Sequence, residues 1–430
     1  MFADGSARSE ARTWTRGLTG NMLCIAPTTL SRHFGLTTND HHCGSHIDLF
    51  CGAGGLSWGW QRAGFNVIAA VDEDSVATRT YELNFRDEAA FTLNRDLTTF
   101  TPSALSRFIG RRPKQLLAIT GGPPCQGWSR VGRGKLRSLQ GRARSLLADP
   151  RNRLYRRFLG FVDYFRPPIC VMENVPGMRS IEGVDVTATV VKNFHDIGYR
   201  CDVTLVNARW FGVAQDRRRL IFVAFRRDLP RTLSSRDLPD FAHDFRVGLL
   251  GITSEPTLKH AIADLPEIAH GSLEEPLPYF PPVGRLSRLA QIMREGAGVG
   301  IVDHVCRWHN AQDIEAFQLM REGALYHELP KRLKRYRDDI FKDKYKRLAW
   351  GRPAWTATAH FEKDVYTHIH PDQPRTISVR EAARIQSFPD SYRFVGNIGD
   401  RFRQIGNAVP PLMAWGIAEY VRGTLASIGR

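Results

Sequence analysis

The chain has 430 residues, 42% hydrophobic and 24% charged, and its 60 Lys and Arg outnumber 44 Asp and Glu to give a formal net charge of +16. That length buries a large core in two lobes rather than one, and the positive excess points to a polyanionic partner. No apolar run approaches the roughly 20 residues needed to span a bilayer, the N-terminus does not read as a secretory signal, and seven scattered cysteines without a Cys-x-x-Cys pair read as reduced thiols of a cytoplasmic protein.

Residues 1–44, rich in Ser, Thr, Gly and Arg with weak apolar periodicity, form an N-terminal extension. Its His41-His42-Cys43 cluster with His46 lacks the spaced ligand pairs of a structural zinc site. From His46 the pattern becomes strand, turn and helix: Ile47–Phe50, then Gly52, Gly54 and Gly55, then an amphipathic Leu56–Ala63. Such glycines let a ligand approach the backbone, and the following helix N-terminus offers unpaired N–H groups to an anion. Asn66–Val71 is the next strand. It ends in Asp72, Glu73 and Asp74, the last of which caps a helix running through Tyr81 to Asn84.

Gln115–Thr120 is a short apolar run with a β-branched end, and Gly121-Gly122-Pro123-Pro124-Cys125 cannot continue it. Cys125 therefore stands just beyond the carboxyl end of a strand, where open parallel sheets bind ligands. The stretch Arg130–Arg137, with Arg142 and Arg144, reads as a loop that closes over a phosphate backbone. Asp149 caps a helix through about Phe165, and Pro167-Pro168 ends it and starts the strand that delivers Glu173. Gln215-Asp-Arg217-Arg218-Arg219 precedes a further strand, Leu220–Phe225.

Between Arg226 and about Pro374 the alternation of strand and helix breaks. This interval is proline-rich and carries the dense charge run Lys331–Arg347, whose Tyr336, Phe341 and Tyr345 suit a nucleic-acid surface. Regular pattern resumes at Trp355–Thr358, His368–Pro371 and a helix from Arg380 stopped by Pro389, followed by Gln404-Ile-Gly-Asn407-Ala-Val409-Pro-Pro411.

Five of these segments, Asp48–Gly55, Gly122–Cys125, Glu173-Asn-Val175, Gln215–Arg219 and Gln404–Pro411, resemble in kind and order the motifs of the DNA cytosine-5 methyltransferases. The resemblance spans about residues 46–425. It implies an α/β fold with a mostly parallel sheet in a catalytic domain at 45–228, a target-recognition domain at 229–374, and a C-terminal return to the catalytic domain at 375–430. The helix before Pro389 would brace the recognition domain against the catalytic lobe.

The resemblance also implies the site. Cys125 would be the nucleophile that adds to C6 of a cytosine flipped out of double-stranded DNA, and Glu173 the acid that meets charge at N3. Arg217 or Arg219, with Arg217 preferred, would hold O2. S-adenosylmethionine would be held by Phe50, Gly52, Gly54, Gly55, Pro124, Leu154, Asn407 and Val409, with Asp72 on the ribose hydroxyls and Glu73 and Asp96 at the adenine. S-adenosylhomocysteine would be the product and no metal would take part. A bacterial modification enzyme, monomeric, nucleoid-associated and functionally paired with a restriction endonuclease, is the expected setting. Amino-group methyltransferases place an Asp or Asn/Ser-Pro-Pro-aromatic motif where this chain has Pro-Pro-Cys. The tRNA-methylating branch carries a Cys-Phe-Thr signature, whereas Cys306 here precedes Arg307-Trp308, and inactive paralogues lose motifs that this chain retains.

Overall fold

The computed structural model describes residues 13–16, 22–25, 44–86, 91–110, 116–124, 154–180, 183–230, 234–280, 286–335 and 344–426. Seven strands form one sheet: β1 (Gly44–Leu49), β2 (Phe65–Asp72), β3 (Phe91–Asn94), β4 (Ala118–Gly121), β5 (Ile169–Asn174), β6 (Tyr199–Asn207) and β7 (Arg218–Arg226). Their spatial order is β3-β2-β1-β4-β5-β7-β6. All neighbours from β3 to β5 pair in parallel, while β7 runs antiparallel to both β5 and β6. Residues 13–16 and 22–25 pair as a separate antiparallel hairpin.

A sheet buried on both faces reads as continuous apolar sequence, which is why β1, β2, β5 and β7 stand out in the chain. Alternate residues serve opposite faces. Ile169, Val171, Ile221 and Val223 enter one core, and Cys170, Met172, Leu220 and Phe222 the other. The second core is closed by the helix Leu154–Phe165, whose Tyr155, Phe158, Leu159, Phe161, Val162 and Phe165 recur at helical spacing, and by the helix Val186–Asp196.

The first core is larger. It takes in α1 (Gly55–Arg62) and the C-terminal helix Pro411–Ala426, and it also takes in residues between Leu229 and Val305. Ala316, Phe317, Met320, Tyr326, Leu333, Tyr345 and Ile369 form a separate small core.

The helix Val379–Ile385 is buried at every position, and the arginines in it and just before it are neutralised by buried acids. Arg375 pairs with Glu381 at 2.7 Å, Arg380 with Asp303 at 3.2 Å, and Arg384 with Asp390 at 2.6 Å and Asp264 at 3.0 Å. Paired and hydrogen-bonded in this way, buried charges tie the helix to the 229–305 interval, and removing one partner would strand the other. The helix ends at Ile385, four residues ahead of Pro389, where Ser387 turns the chain at φ +65°.

Candidate active site

The carboxyl ends of the parallel strands converge on one rim. Leaving β1, Phe50 adopts φ +58°, a left-handed conformation that costs a phenylalanine of order 1–3 kcal/mol and is tolerated where the surroundings enforce it. Gly54 follows at φ +89° as the N-cap of α1, with no side chain capping the helix. Its amides therefore remain available to an anion. A Cβ on Gly55 would lie 2.3 Å from the Val409 carbonyl oxygen, so the turn accepts only glycine there because the C-terminal return packs onto it.

Asp72, at the end of β2, accepts the Gly52 amide at 2.8 Å through one oxygen and the Asp74 amide at 2.8 Å through the other. Burial raises its carboxyl above the usual range. Asp74 caps the next helix, α2 (Ser75–Asn84), by accepting the Val76 and Ala77 amides. Asn94, at the end of β3, donates to the backbone oxygens of Asp72 and Glu73 at 3.1 and 2.9 Å, drawing the Asp96 segment up to that rim. Glu73 and Asp96 are exposed, and bonds from the Thr98 hydroxyl and amide hold the Asp96 carboxyl below its usual range. Beneath the turn, Asp48 is buried and hydrogen-bonded by Ser57 at 2.6 Å and Thr120 at 3.3 Å, and burial pushes its carboxyl up to about 7.

The second half of the rim is built by β4, β5 and β7. Glu173 and Arg219 form a nearly buried ion pair, Nε to Oε1 at 2.7 Å. The other Glu173 oxygen lies 3.5 Å from where a Gly122 Cβ would stand. Asn174 donates to the Pro123 carbonyl at 3.3 Å and accepts the Val175 amide at 2.9 Å. An acid, an arginine and the Gly-Pro-Pro segment are thus locked together on the rim that carries the glycine turn. Cys125 itself lies outside the described residues. Cys51, Cys170, Cys201 and Cys306 are free and buried, and burial pushes each thiol up, which makes them inert as nucleophiles.

The model of the C-5 cytosine-specific DNA methylases matches residues 44–422. The chain belongs to that family. Its relatives include the type II methyltransferase M.AgeI of Thalassovita gelatinovora, 32% identical over 87% of this chain and 98% of that protein. The type II methyltransferase M.DdeI of Desulfomicrobium norvegicum is 33% identical over 87% and 88% of the two chains. Among solved structures, a DNA modification methyltransferase described as putative and encoded within an E. coli prophage aligns with TM-score 0.67 and 25% identity, covering 89% of this chain and 99% of that one. The seven-stranded sheet is the fold of S-adenosylmethionine-dependent methyltransferases, and the methylase is a DNA cytosine-5 methyltransferase.

Arg217, the arginine preferred from the sequence for the base oxygen, is occupied elsewhere in this methylase. It precedes the first ladder residue of β7, is 2% exposed, and donates to the carbonyls of Ala357 at 2.6 Å, Ala408 at 2.9 Å and Gly406 at 3.4 Å. The Gly406 and Ala408 carbonyls belong to the C-terminal return, so Arg217 fastens that return, together with Ala357 of the preceding interval, to the sheet, while Arg219 faces Glu173. Of the remaining positions, Val409 meets Gly55, Asn407 is exposed at the end of its helix, and Pro124 and Leu154 flank the interval that contains Cys125. Gln215 reads in the sequence only as part of the arginine motif. It is buried and bridges Gln386 at 2.8 Å and the Ala357 amide at 3.0 Å. Its partners lie more than 140 residues away, and no linear signal announces them.

Proposed function

We propose that this methylase acts on a cytosine swung out of a short double-stranded DNA sequence, with Cys125 as the covalent nucleophile, and that it serves as the modification partner of a restriction endonuclease. The observation that carries the reading is the Glu173–Arg219 pair at the Gly122 end of β4, because it joins three separated motifs at one point. The cytosine C5 is a weak nucleophile. Addition of the Cys125 thiolate at C6 turns it into an enamine carbon, and the charge that appears at N3 and O2 falls to Glu173 and Arg219. Loss of the C5 proton to a base then expels the Cys125 sulfur and restores the aromatic ring. A base inside the stack cannot be reached at C6, so flipping costs a few kcal/mol that pocket contacts return.

The donor pocket suits S-adenosylmethionine. The uncapped N-terminus of α1 fits its carboxylate, Asp72 fits its ribose, and a Cβ on Gly52 would meet nothing within 4 Å, leaving room at the turn. Phe50, Gly52, Gly54, Gly55, Asp72, Glu73, Asp96, Pro124, Leu154, Asn407 and Val409 would hold it. When bound, S-adenosylmethionine supplies an electrophilic methyl group to C5 and departs as S-adenosylhomocysteine. The chain would work as a cytoplasmic monomer in a bacterium, on the nucleoid.

Bisulfite sequencing of a plasmid propagated with this protein tests the reading. Protected cytosines in one short sequence context, absent beside a Cys125→Ser control, are expected. No protected context, or equal protection by the serine variant, would overturn it.

A further inference from the structure

The C-terminal return reaches the cofactor turn at a second place that the motif pattern does not mark. Tyr392 is 3% exposed, and its hydroxyl donates to the carbonyl oxygen of Ala53, between the turn's glycines. The same hydroxyl lies 2.8 Å from where a Cβ on Gly54 would stand. Its ring packs against Phe388 and Phe394 at 4.9 and 5.5 Å and meets Phe85 edge-on at 6.4 Å, while Phe85 stacks on Tyr81 at 4.3 Å. The turn is therefore backed by an aromatic wall from which the Tyr392 hydroxyl donates to its backbone.

The residues that follow stitch the same segment to the pocket's other wall. Asn84, at the end of α2, donates to the Arg393 carbonyl at 2.8 Å and accepts the Arg393 amide at 2.9 Å, and the Thr80 hydroxyl accepts the Val395 amide at 3.0 Å. On the far side, Arg380 holds the Tyr392 carbonyl at 2.7 Å and the Pro389 carbonyl at 3.0 Å while paired with Asp303. Tyr392 is fixed from behind by a buried arginine and acts forward on the turn.

We propose that Tyr392 is a positioning residue for S-adenosylmethionine: its hydroxyl, touching no substrate itself, sets the Ala53–Gly54 backbone so that the uncapped amides at the α1 N-terminus face the donor's carboxylate. This rests on the cofactor pocket assigned above. Ala53 is 2% exposed, so removing the hydroxyl leaves its buried carbonyl without that donor and lets the peptide tilt, which turns the amides at the α1 N-terminus away from the donor's carboxylate. The effect falls on donor binding rather than on the Glu173 half of the site.

The test is Tyr392→Phe in the full chain, which keeps the ring and its packing, with Phe394→Leu as a variant that thins the same aromatic wall without a contact to the turn. Calorimetric titration with S-adenosylmethionine and S-adenosylhomocysteine is read beside binding of a non-specific DNA duplex. The expected result for Tyr392→Phe is about a tenfold weaker Kd for both S-adenosylmethionine and S-adenosylhomocysteine, on the scale of one buried hydrogen bond, and a matching rise in KM for S-adenosylmethionine. Saturated kcat and DNA affinity should stay within about twofold. Donor affinity unchanged in Tyr392→Phe, or weakened equally by Phe394→Leu, overturns the proposal. A wild-type protein that binds neither S-adenosylmethionine nor S-adenosylhomocysteine takes the pocket assignment down with it, which separates that failure from the first.

Discussion

Glu173 and Arg219 sit 11–12% exposed, and a pair so enclosed is sensitive to the shape of its arginine as well as to charge. Lysine at 219 would keep a cation near the carboxylate and lose the planar fork that can serve the acid and a base oxygen together. Arg219→Lys is expected to lower kcat by about 100-fold or more, the size seen when one stabilising donor is removed, while the urea midpoint shifts little. Arg217→Lys should do the reverse in kind. A single ammonium cannot reach the carbonyls of Ala357, Gly406 and Ala408 at once, so stability should fall by roughly 2–3 kcal/mol in urea unfolding, with donor affinity weakened through a loosened return. Equal loss of kcat without loss of stability in both variants would sink the division of labour. The spacing Gln-x-Arg-x-Arg made both residues visible in the chain. It could not separate them, because side chains two apart share a face of the strand and only the arrival of residues 357 and 406–408 from elsewhere tells them apart.

One strand carries two buried ionisable groups whose effects on stability oppose each other. His46, at the start of β1, is fully buried against Trp60 with neither ring nitrogen hydrogen-bonded, and burial drives its pKa down to about 3 from 6.5. The folded state therefore binds fewer protons there than the unfolded chain, so stability is full above pH 6.5 and is lost as pH falls toward 3. Asp48, two residues on, is raised from 3.8 to about 7, so the folded state holds a proton the unfolded chain has released, and stability drops as pH rises from about 4 to 7. Urea midpoints across pH 4–8 should show both limbs. His46→Leu should flatten the acid limb and Asp48→Asn the neutral one, each by up to a few kcal/mol, since a tenfold change in proton affinity is worth about 1.4 kcal/mol. An unchanged profile in either variant would remove that group from the account. At this scale the strands β1, β2, β5 and β7 were legible as apolar runs. β3 has four residues at the sheet edge, and β6, with Arg200, Asp202 and Thr204 among its apolar residues, lies at the other edge, so neither reads as a buried parallel strand.

How the interval after Arg226 packs was not legible in the chain, because it has no regular period and its packing is decided by distant partners. Residues between Leu229 and Val305 share the sheet's core, as do Leu348, Ala354, Ala357, Phe361 and Val365, while among the described residues Ala316 to Leu333 with Tyr345 and Ile369 form a separate small core. The net charge of +16 is likewise not spread evenly in its effect. Arg375, Arg380 and Arg384 are buried and matched to acids, so they add nothing to the outward field. Arg218 is the contrary case. It is exposed between the engaged Arg217 and Arg219, and β7 pairs it with Asn207 at the end of the sheet that carries the site. Its guanidinium has no ion-pair partner among the described residues, and a phosphate beside the target base would supply one. If DNA binding is carried by such exposed cations, the Kd for a non-specific duplex should weaken about a thousandfold or more between 50 and 200 mM salt, as for a protein neutralising roughly six or more phosphates. Arg218→Gln should weaken binding by a similar factor on every sequence and reduce the slope of log Kd against log salt by about one, leaving donor affinity unchanged. A loss confined to one sequence would make Arg218 a reader of bases, and an unaltered slope would place the phosphate contacts on other exposed cations.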